Sequence, residues 1–161
     1  MKQSLKWIMG GVVLVMALLQ LKNPARTNPP VEPGLDLLAS NAPPAEIVAT
    51  LRAACYDCHS YETKWPWYSR VAPVSWWIID HVEEGRDRLN FSEWAHDNPA
   101  HASKMWKHVS NEVRSKEMPL PSYTWIHAKA RLTFAQQKRL ADWAAQQSQR
   151  LDSNDEGAKQ P

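Results

Sequence analysis

Glycine and cysteine are scarce in this chain: its 161 residues include only 5 Gly and 2 Cys. The glycine count excludes a collagen-like architecture. With both cysteines in one short motif, the second paired motif that a four-ligand zinc site usually needs is lacking. Sustained two-residue alternation is missing too, so no segment reads as a confident strand. Excess charge of one sign is absent from most of the sequence. The formal net charge is +2, yet Lys2, Lys6 and Lys22 account for it; taking those three from the 19 basic residues leaves 16 against 17 acidic ones beyond residue 22. That balance excludes a nucleic-acid binder. There is also no Ser-His-Asp set, phosphate loop or paired-carboxylate constellation, so the expected role is not that of an enzyme and no catalytic residue is assigned.

What is present is apolar length, proline and tryptophan. Between Lys6 and Lys22 the chain reads WIMGGVVLVMALLQL, in which Gln20 is the one strongly polar residue. Counted from Ser4, about 18 residues are available, enough to span a bilayer if the flanking lysines snorkel. A cleaved signal peptide would end in a small-x-small site. Lys22-Asn23-Pro24-Ala25-Arg26 supplies none, so residues 1–22 are expected to be an uncleaved signal anchor. Residues 23–44 hold six of the 12 prolines and read as an extended linker. Residues 152–161 (DSNDEGAKQP) lack apolar periodicity and read as a disordered tail. One domain, 45–151, remains.

Helical periodicity governs that domain, and the expected fold class is all-α. Pro44 opens a helix AEIVATLRAA with Ile47, Val48, Leu51 and Ala54 on a stripe. Ser75 is the expected N-cap of a second helix, with Trp77, Ile78, His81, Val82, Gly85 and Leu89 on one face. Asn98-Pro99 opens a third, reaching about Lys116, with Ala102, Trp106, Val109 and Val113 inward. Thr133 and Gln136 form a capping box for a fourth, from Phe134 to Leu151, presenting Leu140, Trp143, Ala144 and Leu151.

Both cysteines fall in Cys55-Tyr56-Asp57-Cys58-His59, and C-x-x-C-H is the attachment signature of c-type haem. Two thiols one helical turn apart can add to the two vinyl groups of one haem, while the adjacent imidazole faces the iron. A thioredoxin-like pair would need a βαβ context, and a disulfide across so short a gap would be strained and would stabilise little. Cys55 and Cys58 are therefore the expected covalent anchors of one haem c, and His59 the proximal iron ligand. Such attachment takes place on the far side of the membrane from the cytoplasm. A domain this small is marginal alone, and a macrocycle gives its helices an apolar body to pack on. Eight of the nine tryptophans lie in the domain; some would be partners for the macrocycle and others ordinary core aromatics.

The sixth ligand separates electron transfer from ligand binding. Met118, in Glu117-Met118-Pro119-Leu120-Pro121, lies on a loop between the third and fourth helices and is the expected distal ligand. His127 and His81 are alternatives, as is an open position; Met105 reads as core, and His96, His101 and His108 as solvated helix positions.

Wider stretches carry a resemblance. Ala54-Cys55-Tyr56-Asp57-Cys58-His59-Ser60, Glu62-Thr63-Lys64-Trp65-Pro66-Trp67-Tyr68-Ser69, Ala72-Pro73-Val74-Ser75-Trp76, Asn90-Phe91-Ser92-Glu93-Trp94, Glu117-Met118-Pro119-Leu120-Pro121-Ser122-Tyr123 and Ile126-His127-Ala128-Lys129-Ala130, with Asn28-Pro29-Pro30-Val31, are similar to the small haem-binding domain family of bacterial envelope proteins. The resemblance implies a monohaem c-type cytochrome domain tethered by a single pass to the bacterial inner membrane. Its haem domain would face the periplasm, with redox proteins of the envelope as partners. More distantly, the order of elements resembles class I cytochromes c, a bundle of about four helices around one covalent haem. Their first and last helices cross, which here would bring Ile47 and Leu51 near Leu140 and Trp143. The glycine-rich stretch that those proteins carry after the haem motif is lacking, Gly85 being the one glycine between Pro44 and Leu151. Carrying single electrons is the expected function; a gas- or peroxide-binding sensor, or a peroxidase-like module, is the alternative. Trp65, Trp67 and Tyr68 are expected haem-pocket walls, Arg70 and Arg86 candidate propionate partners, and a carbonyl near Ala72-Pro73 the candidate acceptor for the second nitrogen of His59.

Overall fold

The computed structural model describes residues 2–96 and 98–158; the last three residues of the expected tail lie outside the described residues. Among the described residues there is no strand. The elements are α1 (Lys2–Leu19), α2 (Leu37–Asn41), α3 (Ala45–Ala54), α4 (Tyr56–His59), α5 (Val74–Arg88), α6 (Pro99–Ser115), α7 (Pro121–Ile126) and α8 (Phe134–Ala158), with three short 3-10 turns. The all-α expectation holds.

α1 buries none of its residues against the domain and is long and apolar enough, by length and composition, to cross a membrane.

The main framework is the pair α6 and α8. Asn98 caps α6 by accepting the His101 N–H at 2.9 Å, with Pro99 at the first turn. Thr133 and Gln136 form the expected reciprocal box at the start of α8. Small residues let the two helices approach closely. Ser103 Oγ lies 2.8 Å from Ser148 Oγ, and Ser110 Oγ donates to Ala141 O at 2.8 Å. Into that seam goes an aromatic ladder: Trp106 is fully buried, its ring 4.4 Å from Trp94 and 4.8 Å from Trp143. α3 lies across α8, with Ile47 and Leu51 in one cluster with Leu140 and against Trp143. That is the expected crossing of first and last domain helices.

Three segments depart from the sequence reading. Residues 23–44 are no free spacer: they run along the domain, and α2 inserts a fully buried Leu37 into the core. Asp36, buried, caps α2 through the Leu38 N–H at 2.8 Å and accepts a hydrogen bond from Tyr56 Oη at 3.2 Å. Proline density marked the non-helical path, but Asp36-Leu37-Leu38 is a cap followed by an apolar pair. α8 continues past Leu151 to Ala158, where a disordered tail was expected, because Asp152 is held by Ser103 and by Lys107 at 3.0 Å. α5 begins at Val74, not after Ser75; Pro73 has no N–H to satisfy and precedes the first turn, while Ser75 is buried inside it.

Candidate functional site

The C-x-x-C-H pentapeptide is a tight helical turn at the end of α3. Cys55 closes α3 by donating its N–H to Leu51 O, and its own carbonyl accepts the N–H of Cys58 (3.1 Å) and of His59 (2.9 Å). Tyr56, buried, stacks on Phe91 at 5.3 Å and fixes the turn to the core. Both cysteines are free thiols. Burial pushes the Cys58 thiol up to about 11 and Cys55 up to about 12, so both are protonated at neutral pH. Cys55 packs against the apolar core, and Cys58 lines the clefts described below.

His59 is oriented by α5. Its Nδ1–H donates to Gly85 O at 2.9 Å, in the last turn of α5, and to Leu89 O at 3.1 Å, on the residue that caps it. Burial lowers its pKa, against the smaller opposing pull of the two carbonyls, so the imidazole is neutral with Nε2 bearing the lone pair. The acceptor is thus on α5 and not at Ala72, whose carbonyl receives Gln20 Nε2 instead. Gly85 makes this contact possible: a Cβ at Gly85 would stand 2.7 Å from Cys58 O. Gly85→Ala is expected to force α5 off the pentapeptide, costing about 1–3 kcal/mol by overpacking. A lower Tm together with reduced haem loading checks it.

Two adjoining clefts meet at this turn, sharing Cys58, His81, Leu120 and Tyr123. The first, about 670 Å³ with its open mouth included, is walled by Trp65, Tyr68, Val74, Trp77, Ile78 and Val82 among others. The second, about 680 Å³, brings His59 and Met118 to one space.

The end of α6 places Met118. Lys116 takes a left-handed conformation (φ 63°), and the N–H groups of Glu117 and Met118 both return to Glu112 O, at 3.0 and 3.1 Å. This turns the chain toward the cleft. A second fastening lies beyond it: Tyr123 Oη on α7 donates to Asp57 Oδ2 at 2.6 Å, joining the Met118 segment to the pentapeptide itself. Tyr123→Phe is expected to lose a hydrogen bond to a carboxylate, worth about 1.5–3 kcal/mol, and to loosen Met118. Urea unfolding and faster capture of added imidazole by the ferric protein would report both effects.

The remaining sequence-predicted residues divide clearly. Trp65 and Tyr68 line the first cleft, but Trp67 is 76% exposed and outside its lining, meeting Tyr68 edge-on. Arg86 is committed to protein acceptors: Nε to Ser60 O, Nη1 to Thr27 O, and Nη2 to Asn28 Oδ1 and Thr63 Oγ1, all at 2.8–3.0 Å. It therefore clamps the 27–28 segment to the turn. Arg70 is exposed. Both nitrogens of His127 are engaged, Nδ1–H to Tyr123 O at 3.1 Å and Nε2 receiving Tyr68 Oη at 2.9 Å. His81 lines both clefts, its Nδ1–H given to Trp77 O at 2.9 Å. Met105 packs on the core, and His96, His101 and His108 are exposed. The residues that the sequence reading missed are Leu89, through its carbonyl, and the Asp57–Tyr123 pair. Asp57 lies inside the motif, but no local pattern links it to position 123.

A haem fits the donors this region presents. Two unpaired thiols one turn apart, a neutral imidazole with Nδ1 already occupied, a thioether in the same cleft and apolar aromatic walls are what its periphery and iron require. Fold and site together define a small helical haem-binding domain behind an N-terminal apolar helix. The family profile described as Haem-binding domain matches residues 14–146, so the chain belongs to that family. No curated protein and no solved structure matches the chain.

Proposed function

We propose that this protein is a membrane-anchored monohaem c-type cytochrome carrying single electrons on the periplasmic side of a bacterial inner membrane. When bound through Cys55 and Cys58, the haem supplies one-electron iron chemistry. The observation that carries the reading is that His59, its Nδ1 held by two carbonyls, shares one cleft with Met118. His59 would hold the iron through Nε2, and the Gly85 and Leu89 carbonyls fix its tautomer and raise its basicity. Met118, in the same cleft, would offer a neutral, soft sulfur, a donor that favours the ferrous state. Tyr123 and Leu120 line the space that His59 and Met118 share, and the Asp57–Tyr123 bond limits how far Met118 can withdraw. α1 keeps the domain at the membrane, where envelope redox proteins are the partners.

Carbon monoxide tests the assignment against an open sixth position. Added to the ferrous protein at neutral pH, it is expected to bind slowly and weakly. Immediate, tight binding would contradict electron carriage and favour a gas- or peroxide-binding module.

A further inference from the structure

Seven large apolar side chains beyond residue 22 are exposed among the described residues, and four of them fall within eleven residues: Val74 and Trp77 at the first cleft, and Trp67 and Val71 outside it. That stretch is fastened to the end of α1. Gln20 Nε2 donates to Ala72 O at 3.2 Å, and Gln20 Oε1 accepts the Ala72 N–H at 3.0 Å. Trp76 Nε1 donates to Lys22 O at 2.5 Å, and Asn23 Nδ2 to Arg70 O at 3.0 Å. The connection therefore has no slack: the 67–77 face sits within a side chain's reach of the last turn of the apolar helix. The two segments that form it are basic. Residues 20–31 and 63–79 contain Lys22, Arg26, Lys64 and Arg70 and no carboxylate, in a chain that is otherwise net negative beyond residue 22. Val74 and Trp77 also line the first cleft, whose mouth thus opens on this face.

An exposed tryptophan beside the end of an apolar span, with Lys22, Arg26, Lys64 and Arg70 on the segments around it, matches the boundary between hydrocarbon and anionic headgroups. We propose that the Trp67–Trp77 face rests on the anionic phospholipid surface of the bilayer that α1 crosses, so that the cleft beside Cys58 opens at the level of the headgroups. This rests on α1 being a membrane span.

The test uses the full-length haem-loaded protein in liposomes of phosphatidylglycerol and phosphatidylethanolamine, doped with a phospholipid bearing a diazirine near its headgroup. Adducts are mapped by peptide mass spectrometry after illumination. Labelling is expected on peptides covering 2–22 and 67–77, and not on the outer faces of α6 and α8. Trp67→Glu combined with Val71→Glu should reduce the 67–77 adducts to the α6 and α8 background while 2–22 stays labelled. The gentler Arg70→Glu should reduce them in phosphatidylglycerol liposomes and not in purely zwitterionic ones. Labelling of 2–22 with 67–77 at background overturns the docked face alone. Absence of adducts from 2–22 overturns the membrane span itself.

Discussion

Met118→Ala is expected to leave the haem attached, abolish the sulfur-to-iron charge-transfer band of the ferric protein and lower the reduction potential by on the order of 100 mV, within the roughly 0.8 V that axial ligands span. Attachment survives because Met118 belongs to the loop after α6, whereas Cys55, Cys58 and His59 belong to a turn held by Tyr56, Gly85 and Leu89. The potential falls because a thioether stabilises ferrous iron and its loss admits water or a harder ligand. His81→Ala is the control. His81 lines the same cleft as Met118, yet its removal should leave the charge-transfer band in place. A band that survives Met118→Ala and disappears in His81→Ala would transfer the distal role to His81. Spectra of the two variants and a redox titration of each decide this.

Cys55→Ser with Cys58→Ser is expected to eliminate all haem that resists acid-acetone extraction and to cut the yield of folded protein sharply. The pentapeptide joins α3 to the site, and the apolar walls of the first cleft would lose the body they pack on. A domain of this size has little surplus burial with which to compensate. Each single variant should keep one thioether and bind at reduced yield. Cys58→Ser should be the more damaging, because Cys58 borders both clefts whereas Cys55 packs toward the core. Extraction followed by intact-mass measurement distinguishes two links, one and none.

Much of the domain was legible because its signals are local. The Thr133–Gln136 box, the Asn98-Pro99 start and the stripes on α3, α6 and α8 involve neighbours within a few residues. The pentapeptide is local as well, and its spacing named a cofactor. What escaped depends on chain returning from a distance. Gln20 meets Ala72, Arg86 meets Thr27 and Asn28, and Asp36 meets Tyr56, so a proline-rich stretch that reads as a spacer is a strap across the domain. The acceptor for His59 escaped for the same reason, although Gly85 gave a clue: a single glycine on the inner face of a helix marks close backbone approach. Of the tryptophans, Trp94, Trp106 and Trp143 build the core, Trp65 and Trp77 line the first cleft, and Trp67 and Trp125 are exposed. Composition cannot divide them, since each role calls for the same broad apolar ring.

The visible spectrum of the purified full-length protein, recorded in both oxidation states, bears most directly on an electron carrier ligated by His59 and Met118. A low-spin haem that remains bound under denaturing conditions, with a ferric sulfur-to-iron band that disappears on reduction, is the expected result. A high-spin spectrum lacking that band, or a pigment released by acid-acetone, would contradict it.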